Sequence, residues 1–440
     1  MITTEVNFDG LPGPTHHYGG LSSDNPASSN HQALPSNPKK AALQSLEKMK
    51  VLCRLGLTQG ILPPHPRPYI PSLRQLGFTG NDYQILAKVI KWQPELLSAY
   101  SSSSAMWAAN IATVSPSSDT LDNKVHITPA NLIHQFHRSL ELPFSAHLLH
   151  QIFSDKKYFI HHAPLPAHPL WSDEGSANHC RFIIPKKKQG IHLFVHNAQP
   201  LPMIYPRQTQ SASRAIARLQ GLLPESIVFA EQHPEAVAMG TFHNDVIATN
   251  NQNLLLCHEK AFAEQTIVYR QLNAACDSEK LQIIEVSNKQ LPLKQAIKTY
   301  LFNSQLISLP DCPDKMALIV SEQCRTNSQA WNCLNELTLA DNPITSIHSV
   351  DLDESMKNGG GPACLRLRMP LTQKELDAVH PGYLLSSNVF GPLEKWIHQY
   401  YRDRLLPEDL ADPNLLNESR TALDELTALL NIGAIYDFQH

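Results

Sequence analysis

Two rhythms of apolar and polar residues run along this 440-residue chain, and they divide it near residue 190. Beyond that point short apolar runs alternate with segments whose apolar positions recur at helical spacing. The runs predict strands over IHLFVH (191–196), SIVFAE (226–231), DVIAT (245–249), NLLLCH (253–258), LQIIEV (281–286), MALIVS (316–321), SIHSVDL (346–352) and CLRLRM (364–369). Helical spacing predicts helices over 211–223, 259–276, 293–306, 329–340, 372–380, 392–405 and 414–430. The recurring order is strand, strand, helix, strand, with no repeat visible at the level of residues. Repeated ββαβ units sharing one axis fit that order, and so does a mixed open sheet.

The first half is less regular. VNFDGLPGPTHHYGGLSSDNPAS is dense in Gly, Pro, Ser, Asn and His and reads as a long ordered loop, a kind of segment that often carries function. Ser36, Asn37 and Pro38 open a helix that runs to Gly56, with Ala42, Leu43, Leu46, Met49, Leu52 and Cys53 as its core stripe. Residues 60–72 are rich in proline and read as irregular. Residues 96–120 read as a buried loop and helix, since Met106, Trp107 and Ile111 follow close behind four serines. Thr128-Pro129 predicts a further helix over 129–140.

Composition narrows the class. With 42% hydrophobic and 17% charged residues the chain reads as a soluble globular protein, and a net charge of −4 makes no electrostatic case for nucleic acid. Lys186 to Lys188 is a lone basic triplet, expected in a solvated turn. MITTEVNFDG lacks the features of a signal peptide, and no stretch reaches the roughly 18 apolar residues of a membrane span, so a cytoplasmic protein is expected. The 8 cysteines include no C-x-x-C pair and are expected as free thiols.

Chemistry concentrates in ESMKNGGGPACLRLRMP (354–370), where three glycines and a proline deliver Cys364 to the mouth of a strand. A thiol alone is mostly protonated near neutrality, so a nucleophilic Cys364 needs a base. TFHNDVIATN offers His243 and Asp245, two apart and on one face of an extended chain. WSDEGSANHCR offers Glu174, to orient His243 or to bind a cation. Asn110, His137, Arg138 and Arg207 add polar groups without a periodic reason, and arginine forks suit carboxylates. Each stretch also has a plain structural reading: a glycine turn with a buried cysteine, a hydrogen-bonded His and Asp, an exposed turn acid. His134-x-x-His137 and the doublets His16-His17 and His161-His162 raise metal, but 22 histidines produce such neighbours by chance, and no H-E-x-x-H is present, so none is expected.

Taken together, VNFDGLPGPTHHYGGLS, SNP (36–38), DEGSANH, FHNDVIA, YLFNSQL, DNP (341–343) and NGGGPACLRLR resemble the N-succinylarginine dihydrolases over nearly the whole chain. The resemblance implies a pentein-type α/β propeller of five ββαβ modules about a pseudo-fivefold axis, a single catalytic unit over 1–440. It implies a cytoplasmic homodimer in arginine catabolism, with no organic cofactor. It places the catalytic roles on Cys364, His243 and Glu174. Substrate contacts fall on Gly19, Gly20, Leu21, Ser22, Ser23, Asp24, Asn25, Pro26, Ala27, Ser28, Asn110, His137, Arg138, Arg207, Asp245 and Asn358. Asp24 departs from the pattern, standing where glycine is expected. The implied reaction converts N2-succinyl-L-arginine and two waters to N2-succinyl-L-ornithine, two ammonia and carbon dioxide. The rival expectations are another guanidine-modifying pentein, consuming free or methylated arginine, and a non-catalytic scaffold lacking one of the three catalytic residues.

Overall fold

The computed structural model describes residues 3–184, 187–197, 206–276 and 281–440. The turn expected at Lys186 to Lys188 begins at Lys186, outside the described residues. In chain order the strands are β1 (Thr4–Gly10), β2 (Thr58–Leu62), β3 (Ala112–Ser115), β4 (Val125–Pro129), β5 (Phe159–His161), β6 (His179–Phe182), β7 (Ile191–His196) and β8 (Ile227–Glu231). They continue as β9 (Ala248–Asn251), β10 (Leu254–His258), β11 (Gln282–Val286), β12 (Gln305–Leu309), β13 (Cys312–Ser321), β14 (Ile344–Val350) and β15 (Arg366–Leu371).

They form five three-stranded sheets on one plan. A first strand runs antiparallel to a central strand, and after a helix a third strand joins the central one in parallel. Four of these ββαβ modules follow one another from β3 to β14. The fifth joins the two ends of the chain: β15 pairs antiparallel with β1, and β1 parallel with β2 across the helix Pro38–Arg54. That pairing closes the ring. The first strands form its inner wall: β6 packs on β9, β9 on β12 and β15 on β3, while Arg368 of β15 donates to the Leu306 carbonyl of β12 at 3.2 Å.

The central strands β10 and, over its second half, β13 are covered on both faces, which explains their unbroken apolar sequences. Leu254 to Cys257 and Ala317 to Val320 are wholly buried. Third strands lie outermost and are less buried, alternating in IVFAE and only partly covered in QIIEV. Two large apolar clusters result. One joins the fifth and first modules to the helices Phe390–Tyr400 and Pro413–Leu430, and the other runs through the remaining modules.

The ββαβ order matches the sequence expectation, but several elements differ. The N-terminal segment expected as loop contains β1, whose Val6 and Phe8 alternate with Asn7 and Asp9. All four are buried, because Asp9 pairs with Lys48 and accepts from Gln59, and Asn7 accepts from Arg366. Of the stretch expected as irregular, residues 60–62 belong to β2 and 70–72 to the helix Ile70–Gln75, and only 63–69 between them is irregular. The helix expected over 129–140 is absent over most of its length: Pro129 ends β4, and only Phe136–Ser139 is helical. The helix expected over 293–306 stops at Thr299, where Tyr300 turns left-handed with φ 54°, freeing Gln305 to begin β12. That over 372–380 shrinks to Gln373–Leu376.

Candidate active site

The ends of the inner strands position the chemistry. Asn110 precedes β3, Glu174 precedes the turn into β6, His243 and Asp245 precede β9, Asn303 precedes β12 and Cys364 precedes β15. The predicted strands DVIAT and CLRLRM therefore begin too early: Asp245 lies in the single turn Asn244–Val246, and Cys364 sits two residues before its strand. His243 and Asp245 are thus brought together by a turn rather than by strand alternation.

Cys364 is 3% exposed, His243 1% and Glu174 0%, so the chemistry is sealed from bulk water. The Cys364 thiol donates to Asp245 Oδ2 at 3.3 Å. Burial and the Asp245 charge push this thiol well above its ordinary range. On the other side, His243 Nε2 lies 2.9 Å from Glu174 Oε2. Burial pushes the Glu174 carboxyl up, but the His243 hydrogen bond and the Arg138 charge outweigh it and bring it down to about 2. An ionised Glu174 can only accept, so Nε2 carries the proton and Nδ1 is left for proton transfer.

Arg138 Nη1 reaches Glu174 Oε2 at 3.4 Å and Asn110 Oδ1 at 3.2 Å, and Asn110 Nδ2 donates to the Glu174 carbonyl at 2.7 Å. Four of these groups keep an unpartnered buried atom among the described residues: Asp245 Oδ1, Glu174 Oε1, His243 Nδ1 and Arg138 Nη2. Asp245 also borders an axial cavity of about 90 Å³, with Asn250, Arg366 and Arg368.

A second hollow, of about 20 Å³, is lined by Gly19, Leu21, Ser22, Ser28, His137 and Asn358, together with His17, Ser102 to Ser104 and Trp107. That volume holds about one water, so a substrate must widen it. Burial and the Arg138 charge lower His137 to about 3, leaving it neutral. Asn25 caps the helical turn Pro26–Asn30 and donates to the Asn358 carbonyl at 2.9 Å, while Asn358 Nδ2 donates to the His17 carbonyl at 3.0 Å. This tie explains Gly359, with φ 90°: a Cβ there would lie 2.2 Å from Asn25 Nδ2.

Asp24 is held by Arg207, with Nε to Oδ2 and Nη2 to Oδ1 both at 2.6 Å. His134 approaches the same carboxylate at 3.5 Å. Burial raises the Asp24 carboxyl, but Arg207 and His134 together hold it well below the ordinary range. The loop's left-handed residue is Gly20, with φ 61°, so aspartate at 24 meets no backbone penalty of that kind. Ser23 is exposed, Pro26 is exposed beside Gly240, Ala27 is half-buried, and Gly20 faces Gln32. These four are not among the residues lining the hollow.

Sequence reasoning missed Asn303, which touches the thiol, and Gln208, which accepts from the Glu174 amide at 2.8 Å. YLFNSQL was visible as a motif but gave no chemical reason for its asparagine. The paired histidines do not converge: His134 faces Asp24, His16 lies near Ser103, and His161 binds the Phe153 carbonyl.

Five ββαβ modules about an axis that gathers these side chains define a pentein-type enzyme fold. Solved structures support the fold at low sequence identity. The N-terminal domain of ArgZ, an arginine dihydrolase of the ornithine–ammonia cycle in cyanobacteria, bound to product, is 14% identical with a TM-score of 0.51, covering 83% of this chain and 97% of that one. A variant of that domain covalently bound to a reaction intermediate gives 13% and 0.51 over the same shares. AgrE in a ternary complex with ornithine and NAD+ gives 14% and 0.52, covering 86% of this chain and 40% of the other. The family itself is shown by sequence: residues 2–439 match succinylarginine dihydrolase, and the chain belongs to that family of hydrolases.

Proposed function

We propose that Cys364, His243, Glu174 and Asp245 carry out a double hydrolysis of the guanidino group of N2-succinyl-L-arginine. The observation that carries this reading is the pair of carboxylates, Asp245 on the thiol and Glu174 on the imidazole, each with one buried oxygen unpartnered among the described residues. Unsatisfied buried acceptors are costly, and a guanidinium supplies the N–H groups that complement them. An acyl-transfer site would instead present donors to an oxyanion.

The bound cation offsets the Asp245 charge that keeps the thiol protonated. His243 Nδ1 takes the thiol proton, and the thiolate attacks the guanidinium carbon. His243 then returns a proton to one terminal nitrogen, ammonia leaves, and an amidino-thioether remains on Cys364. Water deprotonated by His243 attacks this carbon, the C–S bond breaks, and a ureido group is left. In the second round the thiolate attacks the ureido carbon and expels the second ammonia, leaving a thiocarbamate. Hydrolysis gives an N-carboxylate, which loses carbon dioxide to leave the ornithine amine. Arg207 and Arg138 grip the substrate's carboxylates, with His137, Asn358 and the 19–28 loop around its tail.

The same reading takes residues 1–440 as one catalytic unit working in the cytoplasm as a homodimer, without metal or organic cofactor. Among the described residues no helix is long and apolar enough to cross a membrane. Light scattering on the purified protein tests the dimer. Cys364→Ala tests the nucleophile: native unfolding behaviour and substrate binding are expected with turnover abolished, and surviving turnover overturns the assignment.

A further inference from the structure

The inner ends of four modules supply Asn110, Glu174, His243 with Asp245, and Cys364. The equivalent position of the remaining module, two residues before β12, is Asn303. Its side chain is wholly buried and spans the nucleophile. Oδ1 accepts from the Cys364 backbone N–H at 3.2 Å, while Nδ2 lies 3.1 Å from Cys364 Sγ and 3.2 Å from the Asp245 carbonyl. The Asn303 carbonyl accepts from the Ala363 N–H at 2.9 Å. A Cβ on Gly361 would come within 2.7 Å of Oδ1, so glycine there lets the loop close on the amide.

The orientation of this amide is determined by its partners. A backbone N–H only donates and a carbonyl only accepts, so Oδ1 must face Cys364 N and Nδ2 must face Asp245 O. One Nδ2 hydrogen goes to that carbonyl, and the other points to the sulfur. We propose that Asn303 is a further catalytic residue, whose amide N–H stabilises the Cys364 thiolate each time it forms or departs, while its oxygen fixes the nucleophile's backbone. The proposal rests on Cys364 being the nucleophile.

The chemistry gives the donor two kinds of work. A thiolate accepts a hydrogen bond far better than a thiol or a thioether, so the N–H favours the charged sulfur over both. Asp245 acts oppositely, accepting from the S–H and favouring the neutral thiol. In a double hydrolysis the thiolate is the attacking group twice and the leaving group twice, once from the amidino-thioether and once from the thiocarbamate. The same N–H serves all four events.

The test is the pH dependence of Cys364 alkylation by iodoacetamide, read by mass spectrometry in the purified full-length protein, alongside kcat and KM. Asn303→Asp keeps the oxygen that holds the Cys364 N–H and removes the donor, and Asn303→Ala removes both. In each the alkylation midpoint should move up by about 1 to 2 pH units. The kcat should fall on the order of a hundredfold, with KM nearly unchanged. Asn303→Asp also sets a carboxylate beside the sulfur, which by itself raises the midpoint, so its weight is as a refutation that holds even if Asn303→Ala fails to fold. A midpoint and a kcat unchanged in Asn303→Asp overturn the proposal. Turnover that survives complete alkylation of Cys364 in the parent protein overturns the nucleophile assignment instead, so the two failures are distinguishable.

Discussion

Removing the Asp24 carboxylate should tighten substrate binding. In the substrate-free molecule the Arg207 fork is occupied on both sides by Asp24, an internal carboxylate in the position a substrate carboxylate would take. Gln135 adds a bond to Asp24 Oδ1 at 3.0 Å. Arg207 is 5% exposed and Asp24 37%, so the pair lies between a surface ion pair and a buried one. A bidentate pair in that setting contributes about 1 to 2 kcal/mol, which an incoming carboxylate must offset before it gains the fork. At about 1.4 kcal/mol per factor of ten, Asp24→Gly should lower KM by roughly 5- to 30-fold. The kcat should hold, since Asp24 meets Arg207, Gln135 and His134 and, among the described residues, bonds to none of Cys364, His243 or Glu174. Phe242 under the Arg207 guanidinium, 4.8 Å from its ring centre, keeps the fork in place once Asp24 is gone. The assay is initial ammonia release against succinylarginine concentration in the parent, Asp24→Gly and Asp24→Asn. An unchanged or raised KM in both variants refutes displacement and shows that Asp24 stays on Arg207 or serves the substrate itself. Because the Asp24 carboxyl is held below its ordinary 3.8, its pairing is complete above about pH 4 and is lost only below that. Mild acid should therefore not mimic the variants.

Glu174→Gln should cut kcat on the order of a hundredfold by loosening the His243 proton arrangement, measured as initial rates. Its folded pKa is depressed from 4.5 to about 2, so its stabilisation is present above pH 4.5 and lost as pH falls toward 2. The unfolding difference between parent and Glu174→Gln should accordingly shrink across that window. Lys48→Ala strands the buried Asp9 carboxylate in β1 and should cost about 3 to 5 kcal/mol in denaturant unfolding. Gly359→Ala, forced to a positive φ against Asn25, should raise KM while leaving Cys364 alkylation intact, since it disturbs the tie between the 19–28 loop and Asn358.

The legible elements were those whose burial is one-sided or complete. Central strands such as Leu254–His258 and Ile191–His196 announced themselves as apolar runs. Inner strands were placed less well: the one at Ala248–Asn251, sequence ATNN, was expected too early, over 245–249, because these strands face one another across a polar axis and satisfy their side chains there. β1 was hidden for a similar reason, its alternate Asn7 and Asp9 being buried by partners distant in sequence. The site followed the same division. Cys364, His243, Glu174 and Asp245 stood out because their residue types imply reactivity, and their convergence supports that reading. Asn303 has no such signature: an amide becomes chemically meaningful only once the ring closes and sets it against the sulfur. Nor does sequence show that Asp24 and Arg207, both expected to meet substrate, meet each other first.

The central claim is a double hydrolysis at one thiol, and product counting tests it directly. Purified protein, without added metal or cofactor, is incubated with N2-succinyl-L-arginine, and ammonia is measured against succinylornithine formed. Two ammonia per succinylornithine, with no succinylated ureido compound accumulating, is the predicted result. Untouched succinylarginine beside turnover of free or methylated arginine would contradict it, leaving the fold in place and removing Arg138 and Arg207 from the role of carboxylate forks.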